Sequence, residues 1–139
     1  MANSSSYYLQ GQLIAHIFRT ASFTKPTVLA VALFTTLQNA AGTAGVEVST
    51  SSTGYARQTV DPLDANWAAI VSNDGTTSNV AAINFGTATG NWGTVVGWGL
   101  YDATSGGNLL MCDTLSASKT INTGDSFQIP ANDLTVQFS

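Results

Sequence analysis

Few residues of this 139-residue chain could do chemistry. His16 is its sole histidine, Cys112 its sole cysteine and Glu47 its sole glutamate, beside aspartates at 61, 64, 74, 102, 113, 125 and 133. A zinc centre needs several closely spaced ligands, and His16 has no HxH or HxxE partner. A Ser-His-Asp nucleophile needs a serine placed by a motif such as GxSxG, which is absent. Glycoside hydrolysis needs two facing carboxylates. Glu47 lies in a run of small residues, and the aspartates mostly adjoin Gly, Asn, Pro or Ser, where they stabilise turns. The stretch SNDGTTSN (72–79) has calcium-loop composition without the alternating aspartates or the late glutamate. No catalytic residue, metal site or cofactor is therefore expected. A lone cysteine forbids an intrachain disulfide, and Cys112 reads as a small apolar core residue.

Trp67, Trp92 and Trp98 offer a different chemistry, since flat indole faces stack on sugars. In a β-rich domain poor in charge, tryptophan is also core bulk. Trp98, in the stretch TVVGWGLYD, is expected in the core with Leu100, and Trp92 at a loop end is the better surface candidate. Gly97 and Gly99 flank Trp98 and leave room for a neighbouring ring or backbone to lie against the strand. Asp102, Gly106 and Gly107 supply the turn into NLLMCDTL.

Apolar residues make up 44% of the chain and charged residues only 9%, with a net charge of −4. That composition gives a polar, nearly uncharged surface, suited to a protein that sits against other protein. Arg19, Lys25, Arg57 and Lys119 are scattered, so no nucleic-acid partner is expected. No run approaches the length of a membrane span, and the start lacks a signal-peptide pattern. The length fits one domain spanning 1–139.

The elements that must position these residues follow from periodicity. Residues 4–19 read as one amphipathic helix, with Leu9, Leu13 and Ile17 on a stripe widened by Ile14 and Phe18, and a serine cap. Gly11 weakens that helix. TVLAVALFTTL (27–37) is apolar on both alternating sets, as in a central strand covered on both faces. Residues 38–54 read as a loop with a short strand at 46–48, and YARQTV (55–60) as an edge strand ended by Pro62. DANWAAI (64–70) is a turn or short strand, and 72–79 is a turn cluster. Strands follow at 80–85, 94–102, 108–115, 119–122, 126–130 and 134–138. Seven to eight short strands with regular turns predict a mainly β, antiparallel, jelly-roll-like β-sandwich with one N-terminal helix.

In order along the chain come LIAHIFRTASFTKPTVLAVALFTT, EVSTSSTGYARQTV, NVAAINFGTATGNWGTVVGWGLYDATSGGNLL and KTINTGDSFQIPANDLTVQF. Their succession over residues 7–138 resembles a family of small tailed-phage virion proteins labelled head-decoration, cement or tail-fibre-like. The resemblance implies a β-sandwich virion component without enzymatic activity. It leads to the expectation of a cement protein on the capsid surface that bridges major capsid protein subunits as a homodimer or homotrimer at a symmetry axis. Contact candidates are Glu47, Ser51, Ser52, Asn73 and Asp74 in the two polar loops, 38–54 and 72–79, with Arg57 in the adjoining strand. Arg57 has two readings, a partner anchor or an internal ion pair. The alternative is a tail-fibre or receptor-binding module that recognises glycans.

Overall fold

The computed structural model describes residues 4–70 and 75–138. Its elements are β1 (Ser4–Ser5), α1 (Tyr7–Phe18), β2 (Ala30–Thr36), β3 (Val46–Glu47), β4 (Gln58–Thr59), β5 (Thr76–Ser78), β6 (Ile83–Thr87), β7 (Gly93–Tyr101), β8 (Leu109–Ile121), β9 (Ser126–Ile129) and β10 (Thr135–Gln137). The fold is mainly β, with antiparallel sheets, one helix near the N-terminus and no closed barrel.

The apolar run AVALFTT forms β2, buried on both faces up to Phe34. It pairs with β7 along one edge, and β7 pairs with β8, which carries β1 on its far side. The other edge of β2 is shared: β3 pairs near Phe34 and β4 pairs at Ala30 and Val31. Two small sheets, β6 with β9 and β5 with β10, complete the structure.

Side chains alternate between the two faces of the large sheet. On one face Val31, Leu33, Trp98, Leu100 and Met111 join Ile83, Phe85, Phe127, Ile129 and Leu134 in the main core. On the other, Ala32, Phe34, Tyr101, Leu109 and Cys112 form a smaller cluster. Trp98 pairs with Leu33 across the ladder and is 5% exposed. Gly97 and Gly99 point to the opposite face. A Cβ on Gly99 would stand 2.6 Å from the Phe34 ring, and one on Gly97 2.8 Å from the Asp113 carbonyl. The space these glycines leave thus belongs to Phe34 and Leu37 rather than to the surroundings of Trp98.

Several boundaries differ from expectation. Ser4 and Ser5 form β1, pairing with Met111 and Cys112, and the helix starts at Tyr7 with Ser6 as its cap. The Ser6 hydroxyl accepts the Leu9 N–H at 3.0 Å and donates to the Leu109 carbonyl, so one residue both starts the helix and ties it to β8. The helix buries Leu9 and packs Leu13 on the core, but leaves Ile14, Ile17 and Phe18 exposed, which departs from the single buried stripe. KTIN is not a separate strand, because β8 runs on to Ile121 with a register break against β7 between Val95 and Gly97. Thr76–Ser78, read as part of a turn cluster, pairs with β10 instead.

Candidate functional site

The gap on the edge of β2 between β3 and β4 is where rare charged residues gather. Leu33 lies in that gap. Its carbonyl accepts the Val48 N–H, and its own N–H is accepted by the Tyr55 hydroxyl at 3.0 Å. Tyr55 therefore leaves the expected edge-strand path. Its ring stacks on Phe85 and meets Trp92 edge-on in the main core, while its hydroxyl replaces a missing ladder partner.

The same hydroxyl donates to Glu47 Oε2 at 2.8 Å. Arg57 closes on that carboxylate from the other side, with Nη2 at 2.8 Å from Oε1 and Nε at 3.0 Å from Oε2. This is the planar two-point geometry that guanidinium and carboxylate share. Arg57 Nη1 donates to the carbonyls of Ala103 and Gly106 at 3.0 and 2.8 Å, and the guanidinium carbon sits 3.9 Å over the Tyr101 ring. The Arg57 side chain keeps 8% of its surface exposed and that of Glu47 26%, so the pair is largely enclosed. Burial alone would lower the Arg57 pKa, but the Glu47 hydrogen bonds and charge outweigh it and hold the guanidinium above its usual range. Burial lifts the Tyr55 hydroxyl far above the phenol range, the Leu33 N–H opposes that rise, and the charge of Glu47 adds to it.

Two loops are pinned by this cluster. The turn after β7 is held by Arg57 and closed by Asp102, whose Oδ1 accepts the Asn108 N–H at 2.7 Å and whose Oδ2 accepts the Asn108 side-chain amide. Gly106 and Gly107 both have positive φ there, at 60° and 75°. The 38–45 loop is gathered by Gln38, whose Oε1 accepts the N–H groups of Asn39, Ala44 and Gly45 and whose amide reaches the Tyr101 hydroxyl. Between the turn after β7 and the chain at 47–50 and 56–57 opens a groove of about 480 Å³ lined by Glu47, Val48, Ser49, Thr50, Ala56, Arg57, Thr104, Ser105 and Gly106. Hydroxyls and backbone dominate its rim.

The structure thus brings together Glu47 and Arg57 from the expected contact set, and sets exposed Ser51 and Ser52 on the segment beside the groove. Of the two readings for Arg57, the internal ion pair is the one formed. Asn73 and Asp74 lie outside the described residues. Trp92 is buried, with its indole N–H donated to the Thr53 carbonyl, and Trp67 is half-buried with its own donated to Val60. Trp92 and Trp98 are thus enclosed in the core, and Trp67 packs on it in part. His16 accepts the Phe23 N–H through Nδ1 on the exposed helix. Among the described residues no group of three His, Cys, Asp or Glu could share a metal ion. Burial pushes the Cys112 thiol above its usual range, and the adjacent Asp113 charge adds to the effect.

Three residues of the network escaped sequence reasoning: Tyr55, Gln38 and Tyr101. A usable signal was present, because the only glutamate stands ten positions before an arginine in a stretch otherwise free of charge. Asn79 was also missed. Fully buried, it donates its side-chain amide to the Ala81 and Pro130 carbonyls and accepts the Leu134 N–H, joining the chain ahead of β6 to that ahead of β10.

Compared with known families, residues 4–137 match the model described as podophage GP4 fiber I protein gp80. No curated protein matches the chain.

Proposed function

The chain belongs to that family and is a structural protein of a tailed-phage virion, and from that premise we propose that it is a non-enzymatic building block of a fibre. The match across residues 4–137 carries the reading, since the family's description is of a fibre protein. The geometry supports a scaffold role. Glu47, Arg57 and Tyr55 are engaged with one another and with backbone, and Asp102 closes a turn, so these polar side chains are spent on shape.

The groove rim fits contact with neighbouring virion proteins. Ser49, Thr50, Thr104 and Ser105 line it, and Ser51 and Ser52 lie beside it. Such hydroxyls form hydrogen bonds to a partner at a smaller desolvation cost than buried charges. The Arg57–Glu47 pair acts behind that rim by holding the turn after β7 in a fixed position, so less loop entropy remains to be lost on assembly.

Counting copies in intact particles by quantitative mass spectrometry tests the proposal. A fibre component is present in a small multiple of the fibre number. A count in the hundreds, matched to the coat lattice, would instead place the chain on the capsid as cement and overturn the fibre reading.

A further inference from the structure

Helix α1 docks by one side only. Leu9 is buried and Leu13 packs on the core, whereas Tyr7, Ile14 and Phe18 are 65%, 56% and 78% exposed. With Gly11 these three follow a four-three-four spacing, which puts all of them on one stripe of the helix, facing away from the core. Ile17, also exposed, flanks the stripe.

Gly11 is the anomaly. Glycine inside a helix weakens it relative to alanine, and here a Cβ would meet nothing within 4 Å. Nor is Gly11 among the glycines with positive φ. Nothing among the described residues requires it. On the contact stripe of a helix pair, however, a glycine lets a facing side chain and backbone come close.

We propose that this stripe packs against the same stripe of a second copy, antiparallel, about a two-fold axis at the level of Gln12 and Leu13. The stripe is self-complementary under that operation. Tyr7 meets the partner's Phe18, and the space over Gly11 receives the partner's Ile14. Each bulky residue finds a ring or a gap, as an isologous interface requires. Residues 7–18 contain no Asp, Glu, Lys or Arg, so two copies bring no like charges together. The opposed helix dipoles attract. A different partner would face no such requirement for matched spacing on both sides. The exposed parts of Tyr7, Ile14, Ile17 and Phe18 amount to roughly 500 Å² per copy, short of the about 800 Å² of a standard interface. The dimer is therefore concentration-dependent.

Sedimentation velocity of the full chain over a wide concentration range tests this. Wild type is expected to pass from one chain mass to two as concentration rises. Ile14→Asp remains at one chain mass with an unchanged circular dichroism spectrum and melting temperature. Gly11→Leu, which fills the gap while favouring the helix, also loses the dimer; a purely intramolecular role for the helix would not produce that loss. Oxidation of the Tyr7→Cys/Phe18→Cys double variant links two chains between positions 7 and 18, whereas neither single variant links. Wild type at one chain mass throughout, a dimer that survives both Ile14→Asp and Gly11→Leu, or efficient linkage by Tyr7→Cys alone would overturn the proposal. The test is independent of where in the virion the protein resides.

Discussion

Two apolar patches of this molecule each contain a glycine, and the surroundings of those glycines differ. On the minor face of the large sheet, Phe34, Tyr101, Leu109 and Cys112 surround Gly99, and the Phe34 ring occupies the place a side chain would take. On the outer side of α1, Tyr7, Ile14 and Phe18 border Gly11, and the corresponding place is open. The first patch lies beside loops gathered by polar side chains, Gln38 on one and Arg57 with Glu47 on the other. The second has no cover among the described residues. A missing side chain filled from within is packing. One filled by nothing among the described residues, at a cost to helix stability, is what the proposed pairing with a second copy accounts for.

Substitutions at the filled patch should give the largest effects. Gly99→Val drives a branched side chain into the Phe34 ring and the Leu109 methyl, 2.6 and 3.1 Å from the first added carbon. Overpacking of this kind costs about 3 kcal/mol, read as a lowered denaturation midpoint. A Gly99→Val protein of wild-type stability would mean that Phe34 moves aside freely and that the two patches are alike. Arg57→Ala is next. It removes the bonds to Glu47, Ala103 and Gly106 and leaves a half-enclosed carboxylate, a loss of about 2 kcal/mol. Amide exchange should quicken in residues 103–108 more than in β7.

Tyr55→Phe keeps the ring but deletes the bonds to Leu33 and Glu47, with an expected cost of about 1 kcal/mol. It also has a pH signature. The folded hydroxyl holds its proton well beyond the point where the unfolded chain releases it, at about pH 10. Stability from this group is complete below that pH and is lost as pH rises above it. The melting temperature of Tyr55→Phe should therefore fall less steeply than that of wild type above about pH 10. Equal slopes would contradict the enclosed hydroxyl.

The smallest effect is expected at the open patch. Gly11→Ala should raise monomer stability by about 1 kcal/mol, the intrinsic helix preference, because the new methyl meets nothing. A destabilised Gly11→Ala monomer would erase the contrast with Gly99.

Much of the fold was legible because burial on both faces leaves a plain trace. AVALFTT and GWGLY could only be central strands, and the glycines beside Trp98 signalled close packing before the ring that fills the space was known. The serine run before α1 marked the cap, though not that Ser4 and Ser5 pair with β8. Thr76–Ser78 was misread because Ser, Thr and Asn have turn composition, whereas its strand character comes from β10, some sixty residues away. The exposed side of the helix was misread for the opposite reason. Periodicity reports apolar residues without saying whether the covering surface belongs to the same chain.

For the Glu47–Arg57 cluster, the pairing was one of two readings open in the sequence. The part taken by Tyr55 was not legible, since alternation in YARQTV suggests a regular edge strand. Only the gap between β3 and β4 creates the need for a hydroxyl at Leu33.

The most direct test of the fibre assignment is electron microscopy of intact virions labelled with gold-conjugated antibody against this chain. Gold confined to the fibres is the predicted result. Gold spread over the head in the pattern of the coat lattice would contradict it.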